Sequence, residues 1–188
     1  MKLWRDRLAS PIGTILLVSD GEALRALDFE ECEARMCVLL RRQYGDFALG
    51  DGAGDDGAKR HLDDYFAGEL EAPERIAVRT EGSAFQRRVW AALREIPPGE
   101  TRSYRQIATA IGTPTATRAV GLANGANPVA IVVPCHRVIG ADGSLTGYGG
   151  GLPRKAWLLE HERGGARPRG QAAPWSYCAG LSEGSTAV

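Results

Sequence analysis

The chain has 188 residues, 44% hydrophobic and 24% charged, an ordinary globular composition with enough length for one good core or two small ones. Its zero net charge divides unevenly: residues 1–82 carry 11 Lys/Arg against 17 Asp/Glu, and residues 83–165 carry 10 against 5, so the second half is the one suited to a polyanion. No apolar stretch approaches a membrane span, and the start Met1-Lys2-Leu3-Trp4-Arg5-Asp6 has no apolar signal region, so an unexported, cytoplasmic protein without membrane contact is expected.

The first segment reads as a β-meander. Leu3 to Ser10 is a strand, and Ser10-Pro11-Ile12-Gly13 suits a type I turn. Thr14 to Ser19 is the clearest strand, Asp20-Gly21 marks a turn, and Ala23 to Phe29 follows with alternation at Leu24, Ala26 and Asp28. A helix is expected from Glu31 to Gln43, with Cys32, Met36, Leu39 and Leu40 on one side. Gly50 to Gly57 reads as a flexible loop, and a second helix from Ala58 to Phe66 turns Leu62, Tyr65 and Phe66 inward. Ala72 to Gly82 connects the two halves.

The second half is denser in helix signals. Ser83-Ala84-Phe85-Gln86 is a capping box, and the helix behind it presents Phe85, Val89, Leu93 and Ile96 before Pro97-Pro98-Gly99 stops it. Ser103-Tyr104-Arg105-Gln106 is another capping box, opening a short helix with Tyr104, Ile107, Ala108 and Ile111 on one face. Gly112 ends it, and Thr113 and Pro114 are expected to cap and start the next helix, to Asn124. Two short helices joined in this way read as helix-turn-helix. The second presents small residues at Ala116, Ala119, Gly121 and Ala123 and one long cation, Arg118, so it can approach a nucleic-acid groove closely. Gly147 to Gly151 is glycine-rich, Lys155 to Glu162 is an amphipathic helix, and residues 166–188 are expected to be a disordered tail.

The most informative segment is Pro134-Cys135-His136-Arg137-Val138. It follows the β-branched run Val129 to Val133, which reads as a buried strand-like segment delivering the thiol to a fixed place. Cysteine is a strong nucleophile as thiolate, and a neighbouring base or cation is what produces thiolate near neutral pH. The other cysteines, Cys32, Cys37 and Cys178, suggest neither a disulfide framework nor a zinc site, and His61 and His161 do not pair with them.

With Asn127-Pro128 upstream and Trp157-Leu158-Leu159-Glu160-His161-Glu162 downstream, the pentapeptide resembles the DNA alkyltransferases that repair guanine alkylated at O6. The resemblance is strong over about Ser83 to Gly164 and extends less specifically to Ser10-Pro11-Ile12-Gly13. It implies an α+β chain: a ribonuclease H-like α/β domain over residues 1–82, then a winged helix-turn-helix domain over residues 83–165 that carries the alkyl acceptor. It also implies irreversible transfer of the alkyl group from O6-alkylguanine, with O4-alkylthymine a second lesion, to Cys135. His136 would be the general base through a water, and Glu162 would orient it. Tyr104 would hydrogen-bond the base and help turn it out of the duplex, and Asn127 would brace the active-site segment. Arg118 would fill the vacated stack, with Ala116 and Thr117 beside it at the DNA. Val138 and Tyr148 would bound the base, and the Gly149 N–H would face O6, at a position where relatives often carry Ser. No cofactor or metal is implied. The partner is double-stranded DNA with alkylated bases, met by a monomer. A cysteine hydrolase and a non-catalytic lesion binder rank below this reading.

Overall fold

In the computed structural model, which describes residues 1–52 and 57–164, the N-terminal half is built on a four-stranded sheet in the order β3-β2-β1-β4. The strands β1 (Lys2–Ser10), β2 (Gly13–Ser19) and β3 (Leu24–Phe29) form the expected antiparallel meander. The Ser10 hydroxyl donates to the Gly13 carbonyl at 2.5 Å, and Gly13 takes a φ of 104° that only glycine adopts without strain. A 3₁₀ turn at Glu30–Cys32 leads into α1 (Glu33–Tyr44). Then comes a strand the sequence did not disclose: β4 (Ala48–Asp51) runs parallel to β1, pairing Lys2 with Ala48 through Arg5 with Asp51. It takes Gly50 and Asp51 out of the expected loop. Ladder bonds to the open edge of β1, and Arg5 donating to the Asp51 carboxylate, hold a segment whose own residues carry no strand pattern. Residues 53–56 lie outside the described residues.

The sheet is covered on both faces, which is why β3 is buried throughout rather than at alternate residues. On one face Leu3, Leu16, Val18 and Ala26 pack with Met36 and Leu40 of α1. On the other, Ile15, Leu17 and Leu27 share a core with Leu62 and Tyr65 of α2 (Ala58–Ala67) and with Val89 and Leu93 of α3 (Ala84–Arg94). Phe66, expected inside, is only partly buried. One apolar core therefore runs through both halves.

The open edge of β3 matters for the site. Leu24 donates to Ala77 O and accepts from Arg79 N, so the connection covers one end of the strand. Leu27 donates to Pro128 O at 2.9 Å and accepts from Ala130 N at 3.0 Å, so the segment leading to Cys135 covers the other. Residues Val129 to Val133 are buried as expected but are not a strand. Val132 bonds back to Ala130, Val133 to Val129, and Ile131 has a φ of 68°. The side chain of Asn127 forces this shape: its Oδ1 accepts from Val129 N and its Nδ2 donates to Val133 O at 2.8 Å.

In the second half, β5 (Arg102–Ser103) precedes α4 (Tyr104–Ala110) and α5 (Thr117–Gly125). Both expected capping boxes are present, with Gln86 N on Ser83 Oγ and Gln106 N on Ser103 Oγ, each at 3.2 Å. The start of α5 differs from expectation. Thr113 N bonds back to Ala108 O and Ala116 N bonds to Thr113 O, so Thr113 and Pro114 belong to the turn and Ala116 occupies the cap position. Trp90 fixes α5 against α3 by donating to Ala123 O at 2.9 Å. A two-residue strand, β6 (Val138–Ile139), pairs parallel to β5, and α6 (Leu152–Glu162) begins three residues before the expected helix. Among the described residues no helix is long and apolar enough to cross a membrane. Cys32 is disulfide-bonded, where the sequence reading has no cysteine paired. The expected tail, residues 166–188, lies outside the described residues.

Candidate active site around Cys135

Cys135, His136 and Arg137 form a single 3₁₀ turn, and all three are buried. Two asparagines hold the turn from behind. Asn127 fixes the incoming loop, and Asn124 Nδ2, on α5, donates to Cys135 O at 3.4 Å. The α4–α5 helix pair and the thiol are thus joined through α5. Burial pushes the Cys135 thiol up, against a hydrogen bond from Asn127 and the positive charges of Arg35 and Lys155, so the resting group is a thiol rather than a thiolate.

The histidine beside it is well defined. His136 is fully buried, and its Nε2 lies 2.8 Å from Glu162 Oε1. Burial lowers the His136 pKa in spite of the carboxylate, so the ring is neutral near pH 7. A neutral imidazole facing a carboxylate through Nε2 carries its proton there, which leaves Nδ1 as the lone-pair nitrogen. Nδ1 is buried and has no hydrogen-bond partner.

Glu162 collects five donors. Besides His136, it accepts from Arg137 Nε at 2.9 Å, Arg137 Nη2 at 2.8 Å, the Tyr65 hydroxyl at 2.9 Å and Gly99 N at 3.2 Å. Burial works against this carboxylate, but His136 and Arg137 outweigh it and hold it well below the usual carboxylate range. Sequence reasoning found Glu162 and His136 and missed Arg137, Tyr65 and Asn124. Arg137 stood inside the pentapeptide. Tyr65 reads as a core aromatic from its helix position, and only the fold brings it across from the N-terminal half.

Tyr104, Tyr148 and Gly149 line a cleft of about 750 Å³, together with Arg35, Phe85 and Ala119. Tyr104, the first residue of α4, accepts a hydrogen bond from Thr146 at 3.3 Å, and Tyr148 is buried with its hydroxyl unpartnered. Val138 O accepts from Lys155 Nζ at 2.6 Å and keeps a second lone pair. Lys155 is itself buried, and the loss of solvent lowers its pKa to about 8 although Cys135 opposes the shift. Ala116, Thr117 and Arg118 lie apart from this group at the start of α5, where Arg118 is exposed. Among the described residues no three His, Cys, Asp or Glu gather as metal ligands.

A buried cysteine, a neutral histidine locked to a carboxylate, and a cleft bounded by two tyrosines stand beside a helix pair. The family model described as 6-O-methylguanine DNA methyltransferase, DNA binding domain, matches residues 84–164, and that described as its ribonuclease-like domain matches residues 6–80. The chain belongs to the 6-O-methylguanine DNA methyltransferase family. The methylated-DNA–protein-cysteine methyltransferase of Salmonella typhimurium is 46% identical over 165 residues, covering 86% of this chain and 96% of the relative. That of Mycobacterium bovis is 50% identical over 154 residues, covering 82% and 88%. Among solved structures, Mycobacterium tuberculosis OGT in complex with DNA is similar with a TM-score of 0.74 and 47% identity, covering 88% of this chain and 95% of that one. These methyltransferases align with both halves, so the mixed α/β architecture of a ribonuclease-like domain followed by a DNA-binding domain is a property of the whole chain.

Proposed function

We propose that Cys135 takes the alkyl group from O6 of a guanine turned out of the duplex, with His136 as base and Glu162 as its anchor. The chain is a methylated-DNA–protein-cysteine methyltransferase that acts by direct reversal of the lesion and is spent in doing so. The observation that carries the assignment of roles is the state of His136: neutral, fixed through Nε2 on Glu162, and open at Nδ1.

The chemistry follows from that state. His136 Nδ1 removes the Cys135 proton through one water as the sulfur attacks the alkyl carbon in line. The S–C bond forms while the C–O6 bond breaks, and its electron pair leaves with the guanine. The Tyr104 hydroxyl donates toward that developing charge, and the proton held on the His136 imidazolium is then returned through water to the guanine anion. The proton arriving on His136 is favoured by the carboxylate behind it, so the imidazolium forms where it is neutralised. The product is a thioether, which has no leaving group and is not hydrolysed.

Extruding the base costs a few kcal/mol of stacking. Arg118, exposed at the first turn of α5, is the side chain long enough to occupy the gap, and Ala116 and Thr117 let the helix come close to the backbone. The Cys135 and Val138 carbonyls and the Gly149 N–H frame the base. We assign residues 1–82 to a ribonuclease H-like domain and 83–165 to a winged helix-turn-helix domain, in a cytoplasmic monomer. Titration of the protein with a duplex bearing one O6-methylguanine tests the function: repair should stop at one lesion per chain, and continued turnover would overturn the reading.

A further inference from the structure

Arg35 stands on α1 in the N-terminal half, yet it lines the same cleft as Tyr104, Tyr148 and Gly149. Its side chain is 7% exposed, and Nη2 donates to Asp28 Oδ2 at 2.6 Å, an ion pair made within the N-terminal half. Its Nε is buried and has no partner. Position 149 is the second observation. Gly149 has no positive φ, so its backbone does not call for glycine. Space does: a Cβ at 149 would lie 2.3 Å from Arg35 Nη1 and 2.4 Å from Cζ. The guanidinium fills the place that a side chain at 149 would take.

We infer that Arg35 is a catalytic residue, reaching across from the N-terminal half to the O6 wall of the base pocket and donating to the oxygen that leaves with the guanine. This rests on the alkyl-transfer reading above. An unpartnered, buried N–H on a fixed cation is preorganised for a charge that appears only during reaction. The Asp28 carboxylate fixes the guanidinium without occupying Nε. The glycine therefore admits a donor from another part of the chain. The same cation acts on the acceptor. Burial raises the Cys135 thiol, and Arg35 and Lys155 oppose that, while Asp28 adds to it; Tyr104, Tyr148 and His136 complete the titratable surroundings.

The test compares wild type, Arg35→Met and Arg35→Lys, in the full chain, by single-turnover transfer at saturating O6-methylguanine duplex across pH, and with the free base O6-methylguanine. Arg35→Met should slow transfer about a hundredfold, the scale of removing one donor to a developing oxyanion. The loss should appear with both substrates, the pH midpoint should move up, and Arg35→Lys should recover part of the rate. Gly149→Ala should cost more in wild type than in Arg35→Met, because the steric conflict is gone. If Arg35→Met unfolds, the paired variant Arg35→Met/Asp28→Asn removes both charges and is measured instead. An unchanged saturating rate with weaker duplex binding would make Arg35 a backbone contact, and an unchanged rate and affinity would make it a packing residue; either overturns the inference. Failure of the wild-type chain to transfer at all would instead sink the underlying function.

Discussion

Replacing Glu162 by glutamine changes one charge and almost no volume, and the structure says what should follow. The carboxylate is fully buried and accepts five hydrogen bonds from four residues. An amide oxygen can accept two of these, and its NH₂ adds two donors to a site that already holds only donors. The Arg137 guanidinium, 6% exposed, loses its counter-ion. Breaking a buried ion pair from one side costs about 3–5 kcal/mol. Taking about 4 kcal/mol, at about 2–4 °C per kcal/mol for a chain of this size, Tm should fall by about 8–16 °C. The catalytic loss has a separate cause. A glutamine NH₂ can donate to His136 Nε2, which moves the ring proton to Nδ1 and removes the base. That should lower single-turnover transfer by about a hundredfold or more at a temperature where the variant is folded. Urea unfolding measures the first effect and quenched-flow repair of an O6-methylguanine duplex measures the second. A stability loss under about 1 kcal/mol together with an unchanged rate would refute the argument that this carboxylate organises the site.

Other consequences are sharper for being smaller. Tyr65→Phe removes one of the five donors and should cost about 1.5–3 kcal/mol in urea unfolding while leaving most of the transfer rate, because His136 keeps its anchor. Asn127→Ala strands Val129 N and Val133 O in the interior; at about 1–3 kcal/mol for each group left unpaired, it should destabilise the chain clearly and slow thiol alkylation by displacing the loop. Arg118→Ala touches an exposed residue and should leave stability within about 0.5 kcal/mol, yet slow repair in duplex DNA while sparing transfer from the free base. On acidification the sign is set by two depressed groups. Glu162 titrates lower folded than its ordinary 4.5, so its contribution is present above about pH 4.5 and is lost as pH falls toward the folded value. His136 is also lowered, so the unfolded chain takes up that proton first and stability already declines below its ordinary 6.5. Denaturation midpoints that rose from pH 6.5 to pH 4.5 would contradict the His136 statement, and midpoints that rose as pH fell below 4.5 would contradict the Glu162 one.

The sequence disclosed what local chemistry sets and missed what distant packing sets. The meander, both capping boxes and the helices around Val89 and Ile107 were legible because their turn residues, caps and apolar spacing are local. The strand at Ala48 was not, because its stability comes from the unpaired edge of β1. Val129 to Val133 looked like a strand by β-branching, but one hydrogen bond donated by the Asn127 side chain and one accepted by it outweighed that propensity and folded it into turns. Thr113 looked like a cap until the backbone of Ala108 claimed it. At the site, Cys135, His136 and Glu162 were recoverable from one pentapeptide and a distant helix end through the family resemblance. Tyr65 and Arg35 were not, because each reaches the site from the N-terminal half and only the folded chain shows it.

Peptide mass spectrometry after reaction with a duplex carrying one O6-methylguanine tests the central claim most directly. The account predicts a single methyl in place of hydrogen on the Cys135 peptide, none on the peptide containing Cys37, whose thiol is also free, and unmodified guanine in the recovered DNA. A methyl on another residue, or restored guanine with Cys135 unmodified, would contradict it.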